Sequence, residues 1–162
     1  MFCFIRNYNT FEVVTITKSS GYNLWRGNHF NAKVEGNQFH DNEIKRKVEN
    51  IKPSEKYDLE LDKMYMQEAI KNIKANPIYF FKLYLKKVFS FIFIDLNSTY
   101  ENYYSYLNIL PKIVISITTL LGVFLLSKKD DILIYYTLYY FFNIFLFSLF
   151  FILPRYSLML LP

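Results

Sequence analysis

Two apolar runs near the C-terminal end, only five residues apart, constrain this chain more than any other feature. Residues Ile113 to Leu126 hold one Gly, one Ser and two Thr among ten aliphatic or aromatic residues, and Leu110, Pro111 and Lys112 extend the run to spanning length. Ile132 to Leu153 adds twenty-two residues without a charge. At about 1.5 Å of rise per residue that run makes a helix of roughly 33 Å, slightly more than a hydrocarbon core. Between the runs lie Ser127, Lys128, Lys129, Asp130 and Asp131. So short a connection predicts antiparallel neighbours: two transmembrane helices, 109–127 and 132–153, in a hairpin.

Whole-chain averages hide this division, because 52% hydrophobic residues and a mean hydropathy of +0.09 would suit a soluble domain. Residues 1 to 100 carry fifteen of the nineteen Lys and Arg and eleven of the fourteen Asp and Glu. The chain therefore divides into a water-exposed module of roughly a hundred residues, an ordinary domain size, and the hairpin. Cys3 alone permits no internal disulfide, and with only His29 and His40 there is no zinc-like spacing of Cys and His. We expect no metal and no cofactor. The net charge of +5 does not point to nucleic acid, since the basic residues interleave with acids along Asp41 to Lys74. Met1 to Ile5 is a short apolar stretch followed by Arg6, unlike a signal peptide.

The exposed module, 1–76, reads as a loop and strand region over 1–40 followed by two helices. Phe11 to Ile16 is rich in Val, Thr and Ile and predicts a short extended segment closed by a turn at Lys18 to Gly21. Three of the four glycines fall between Gly21 and Gly36, together with Asn23, Asn28 and Asn31, which predicts an ordered loop. Tyr22, Leu24 and Trp25 in that loop need a surface, and packing against the following helices is the plainer reading; contact with an acceptor or lipid is the other. Helices are expected over 42–52, with Ile44, Val48 and Ile51 on one face before Pro53, and over 55–75, with Leu61, Met64, Ala69 and Ile73 at helical spacing. Asn76 then caps a third helix that has Pro77 at its first position.

That third helix, 77–96, is greasy yet carries Lys82, Lys86 and Lys87. At a bilayer centre each ammonium would cost about 2.5 to 3.5 kcal/mol, so the helix should lie in the interface. All three lysines are expected to point toward head groups while Phe80, Phe81, Leu85, Phe89 and Ile92 sink toward acyl chains. Simple snorkelling and a hold on the phosphate of a specific lipid are both open. Residues 97–108, with their tyrosines, suit an interfacial linker. Pro111 is expected to open the first span with Lys112 snorkelling, and Asn143 in the second span to need a partner on a neighbouring helix. Residues 155–162 look like the start of a further, truncated helix. The fold class is therefore an all-α integral membrane architecture: the hairpin, plus an extramembrane module of one short extended segment and amphipathic or interfacial helices.

Several segments, in order, resemble the C-terminal part of membrane glycosyltransferases of the dolichyl-phosphate-mannose protein mannosyltransferase type, glycosyltransferase family 39 in the GT-C superfamily. They are Ile5-Arg6-Asn7-Tyr8, the run Gly21 to Asn28, Ala69-Ile70 through Asn76-Pro77, Lys86-Lys87 and Leu153-Pro154-Arg155-Tyr156. The resemblance implies a multispanning enzyme that moves a sugar from a polyprenyl-phosphate carrier to an acceptor at the extracytoplasmic face. It implies a catalytic carboxylate in an upstream loop that this chain lacks, so none of the catalytic residues is expected here and the chain alone is expected to be inactive. Lys86, Lys87 and Arg155 become candidates for binding the lipid phosphate, and Tyr22, Trp25, Arg26 and Asn28 for an acceptor or substrate loop. The implied partners are membrane lipids, the polyprenyl-phosphate-linked sugar and N-terminal transmembrane helices missing from this chain.

Charges do not orient the hairpin, because Lys128 and Lys129 in the short loop are balanced by Lys82, Lys86, Lys87 and Lys112 on the other side. The resemblance implies a bacterial-type cytoplasmic membrane with residues 1–106 extracytoplasmic. Two other readings stay open: a small non-catalytic membrane-anchored interaction protein, and a fragment of another multispanning envelope polysaccharide protein.

Overall fold

The computed structural model describes residues 19–34, 42–54, 56–98, 101–126 and 131–150. Among them the chain is all-helical, with six α-helices and no strand: α1 (Ser20–Gly27), α2 (Asn42–Glu49), α3 (Tyr57–Ala75), α4 (Pro77–Ile92), α5 (Tyr106–Leu126) and α6 (Asp131–Ser148). The extended segment expected over Phe11 to Ile16 lies outside the described residues.

α1 corrects the reading of residues 21–36 as a loop. Gly21 is a helix residue chosen for close approach: a Cβ there would run into the backbone carbonyl of Asp62 on α3. Asp62 also supplies the N-terminal cap that the Ser19 side chain does not. Its Oδ1 accepts the Tyr22 N–H at 2.9 Å and its Oδ2 accepts the Ser20 hydroxyl at 3.1 Å. A carboxylate at a helix start satisfies N–H groups that have no intrahelical partner and faces the positive end of the helix dipole. Composition suggested a loop because glycine lowers helix propensity, but packing against α3 overrides that preference.

Trp25, Ile44 and Ala69 bring α1, α2 and α3 into one core, with Leu24, Val48, Met64 and Tyr65 around it. Lys47 pairs with Glu68 across α2 and α3 at 2.7 Å. The plainer reading of Tyr22 and Trp25 therefore holds, since both rings lie 5.1 Å from that of Tyr65. Asn76 serves two helices, closing α3 through its N–H to Asn72 O and capping α4 by accepting the Tyr79 N–H, with Pro77 next to it. A second core joins Ala32 and Val34 to Phe80, Leu83 and Ile73, and a third joins Phe91 of α4 to Ile144 of α6.

One helix, over Tyr106–Leu125, is long and apolar enough to cross a membrane by length and composition; Ile132–Ser148 is apolar but shorter. α5 begins ahead of Pro111, which lies inside the helix rather than opening it. α6 stops at Ser148, and Leu149 and Phe150 form a turn through bonds to Leu146 O and Phe147 O. The 17 residues of Ile132–Ser148 rise only about 25 Å, short of the extent expected for 132–153. Ser116 and Thr118 of α5 and Asn143 of α6 bond within their own helices. Ser116 donates to Lys112 O, Thr118 to Val114 O, and Asn143 to Tyr139 O at 2.7 Å. The partner expected for Asn143 on a neighbouring helix is thus its own preceding turn, where a carbonyl is already within reach.

Replacing Gly21 by Ala should separate α1 from α3 and cost about 1–3 kcal/mol through overpacking. Trp25, the one tryptophan in the chain, reports on this core, so denaturation of the detergent-solubilised chain followed by its fluorescence is the check. An unshifted midpoint would contradict the close approach.

Candidate functional site

The described residues bring the end of α1, the inner face of α4 and the end of α6 to one point, occupied by Lys87. Its side chain is 0% exposed. Its Nζ donates to Gly27 O at 2.8 Å and to Phe150 O at 2.9 Å. Both carbonyls sit where a helix leaves acceptors unmatched, at the last residue of α1 and two residues past α6. Asn28 makes the same connection a step away, its Nδ2 donating to Leu24 O and Leu149 O, each at 2.8 Å. Tyr84, one turn before Lys87, donates its hydroxyl to Phe145 O at 3.2 Å. Tyr84 and Lys87 of α4 and Asn28, the residue after α1, thus reach the carbonyls of Phe145, Phe150 and Leu149 at the end of α6 and just past it.

Lys87 therefore departs from the expectation that it points to head groups beside Lys82 and Lys86, which are exposed. Neighbouring helix positions differ by about 100°, so Lys86 and Lys87 face different surroundings. Burial pulls the Lys87 amine down to about 7 from its ordinary value of 10.5. The geometry suits the neutral form, because an uncharged amine has two N–H donors for two carbonyls whereas an ammonium has three.

The acceptor-loop candidates divide between core and surface. Trp25 is buried in the helical core and Asn28 is buried with its amide engaged, so both act in structure. Tyr22 lines a surface groove of about 390 Å³ with Ser19, Asp58, Leu61, Asp62 and Tyr65. Arg26, in the last turn of α1, is half-buried. Arg155 lies outside the described residues. His29, not singled out from sequence, is buried beside Trp25 with ring centroids 5.5 Å apart, and its Nδ1 accepts the Asn31 N–H at 3.1 Å. That bond leaves the proton of the neutral ring on Nε2. Among the described residues no group of His, Cys, Asp and Glu could hold a metal ion. The arrangement can fix the ends of α1 and α6 against the inner face of α4 and present Lys82 and Lys86 outward.

This chain matches no model of a known protein family, no curated protein and no solved structure.

The Lys87 site makes stability pH-dependent with a definite sign. In the unfolded chain the lysine keeps its proton up to about 10.5, while in the folded chain it releases it near 7. Between those values the unfolded state binds more protons, so stability rises as pH increases; below about 7 this residue contributes no slope. Thermal unfolding followed by Trp25 fluorescence should show the wild-type chain gaining on Lys87→Met between pH 7 and pH 10. Parallel pH profiles for the two would contradict the assignment.

Proposed function

We propose that this chain is the C-terminal part of a membrane glycosyltransferase that transfers a sugar from a polyprenyl-phosphate carrier to an acceptor at the extracytoplasmic face. The observation that carries the reading is the Lys87–Gly27 bond, which spans 60 residues and joins two of the segments that resemble such enzymes. A third, Ala69 to Pro77, packs against the same unit through Ala69 and Trp25 and begins α4 at Pro77. Segments that resemble a family in order and also converge in space support one functional unit better than scattered resemblances would.

In this reading α5 and α6 form the membrane hairpin, with residues 127–130 cytoplasmic and the helical module outside. The acceptor oxygen attacks the anomeric carbon, the bond from that carbon to the carrier phosphate breaks with inversion, and polyprenyl phosphate departs. A carboxylate from an upstream segment takes the acceptor proton. Lys86, exposed on α4, and Arg155, five residues beyond Phe150 in the sequence, steady the charge on the departing phosphate. Lys87 positions these elements rather than touching the carrier. The groove beside Tyr22 offers aromatic faces and carboxylates to a hydroxylated acceptor.

A polyprenyl phosphate bearing a benzophenone tests this in membranes that contain the full chain. Cross-linking should map to residues 77–92 or to the peptide containing Arg155, be displaced by unlabelled polyprenyl phosphate, and fall several-fold in Lys86→Ala. Labelling that is absent, or equal with a polyprenol lacking the phosphate, would overturn the proposal.

A further inference from the structure

The outward face of α4 has a different character from the face that holds Lys87. Ile78, Phe81, Leu85 and Phe89 are 69%, 62%, 50% and 46% exposed. At helical spacing they fall within an arc of about 80°. Lys82 and Lys86, one turn apart and both exposed, border one edge of that arc. No Asp or Glu occurs anywhere in Pro77–Ile92. A helix surface facing water would carry polar residues where this one carries its largest apolar side chains.

The patch continues beyond the helix. The Tyr79 hydroxyl donates to Phe30 O at 3.4 Å and to Ala32 O at 3.3 Å, which lays the segment 30–34 along the first turns of α4. Phe30 is 61% exposed and Lys33 is exposed, adding a further aromatic and a further ammonium beside Tyr79. On its buried side α4 packs against α6 through Phe91 and Ile144.

We propose that this face of α4, with Phe30 and Lys33 at its side, lies on the anionic head-group layer of a lipid bilayer. The apolar stripe enters the acyl boundary, and Lys33, Lys82 and Lys86 meet lipid phosphates. Two features favour lipid over a protein partner: among the described residues the charges set beside the stripe, Lys33, Lys82 and Lys86, are all positive, and the same chain carries a helix long and apolar enough to cross a membrane. The inference rests on the membrane part of the proposed function and not on sugar transfer. It removes Lys87 from a head-group surface for which the sequence suggested Lys82, Lys86 and Lys87, and adds Phe30 and Lys33 of the segment that follows α1.

The test uses the full chain with Cys3 replaced by Ser and single cysteines at Leu85, Phe89 or, as a water-facing control, Lys71 of α3. Each is labelled with a fluorophore and reconstituted into phosphatidylcholine vesicles with or without phosphatidylglycerol. Labels at Leu85 and Phe89 should be quenched by nitroxide-bearing lipid and shielded from iodide, with the reverse at Lys71. Lipid quenching should fall several-fold in vesicles lacking phosphatidylglycerol and in Lys82→Glu/Lys86→Glu. Since these substitutions lie on the exposed face, Trp25 emission should stay unchanged and report an intact core. Iodide access at Leu85 and Phe89 equal to that at Lys71 would overturn the proposal, as would lipid quenching indifferent to charge. Failure of carrier cross-linking alone would leave it standing.

Discussion

The amine of Lys87, held between the carbonyls of Gly27 and Phe150, ties the last residue of α1 to the turn after α6 across the inner face of α4. Helix ends expose acceptors that must find donors when water is excluded, and here one buried side chain serves two of them. Asn28 and Tyr84 repeat the device at Leu149 and Phe145. The cost of burying an amine is large, which is why its protonation shifts so far, and the return is a defined placement of three helices. Removing this donor would leave two dry carbonyls and a cavity in the only region where the helical module and α6 share polar bonds among the described residues.

That placement explains how α4 can have two faces with opposite tasks. Its inner side carries Phe80, Leu83, Lys87, Ser90 and Phe91, all buried, while its outer side keeps Ile78, Phe81, Leu85 and Phe89 in the open. With the inner side fixed to α1 and α6, the outer side is presented in a set direction beside the apolar helices. In the proposed membrane setting this puts Lys86 at the boundary where a lipid-borne phosphate would meet it, while Lys87 holds the support behind it.

Much of the helical order was legible because periodicity and caps are local signals: α2 and α3 follow from Ile44, Val48, Leu61 and Ala69, and the Asn76-Pro77 junction from the chemistry of a helix start. α1 was not legible, because Gly21 looks like a loop residue until the Asp62 carbonyl is seen against it. The role of Lys87 was hidden for a similar reason. Two adjacent lysines carry no information about which faces the core, and the acceptors are backbone atoms 60 and 63 residues away in opposite directions along the chain. An uncharged run likewise does not reveal the turn at Leu149 and Phe150 that shortens α6.

Hydrogen–deuterium exchange of the chain in lipid nanodiscs, compared between wild type and Lys87→Met, reaches this central interaction most directly. If Lys87 holds the end of α1 to the end of α6, amides in Asn23–Asn28 and at Leu149 and Phe150 lose protection together, while α5 keeps its own. Unchanged protection in α1 after loss of the amine would show that the helical module is held by its apolar core alone, contradicting the account.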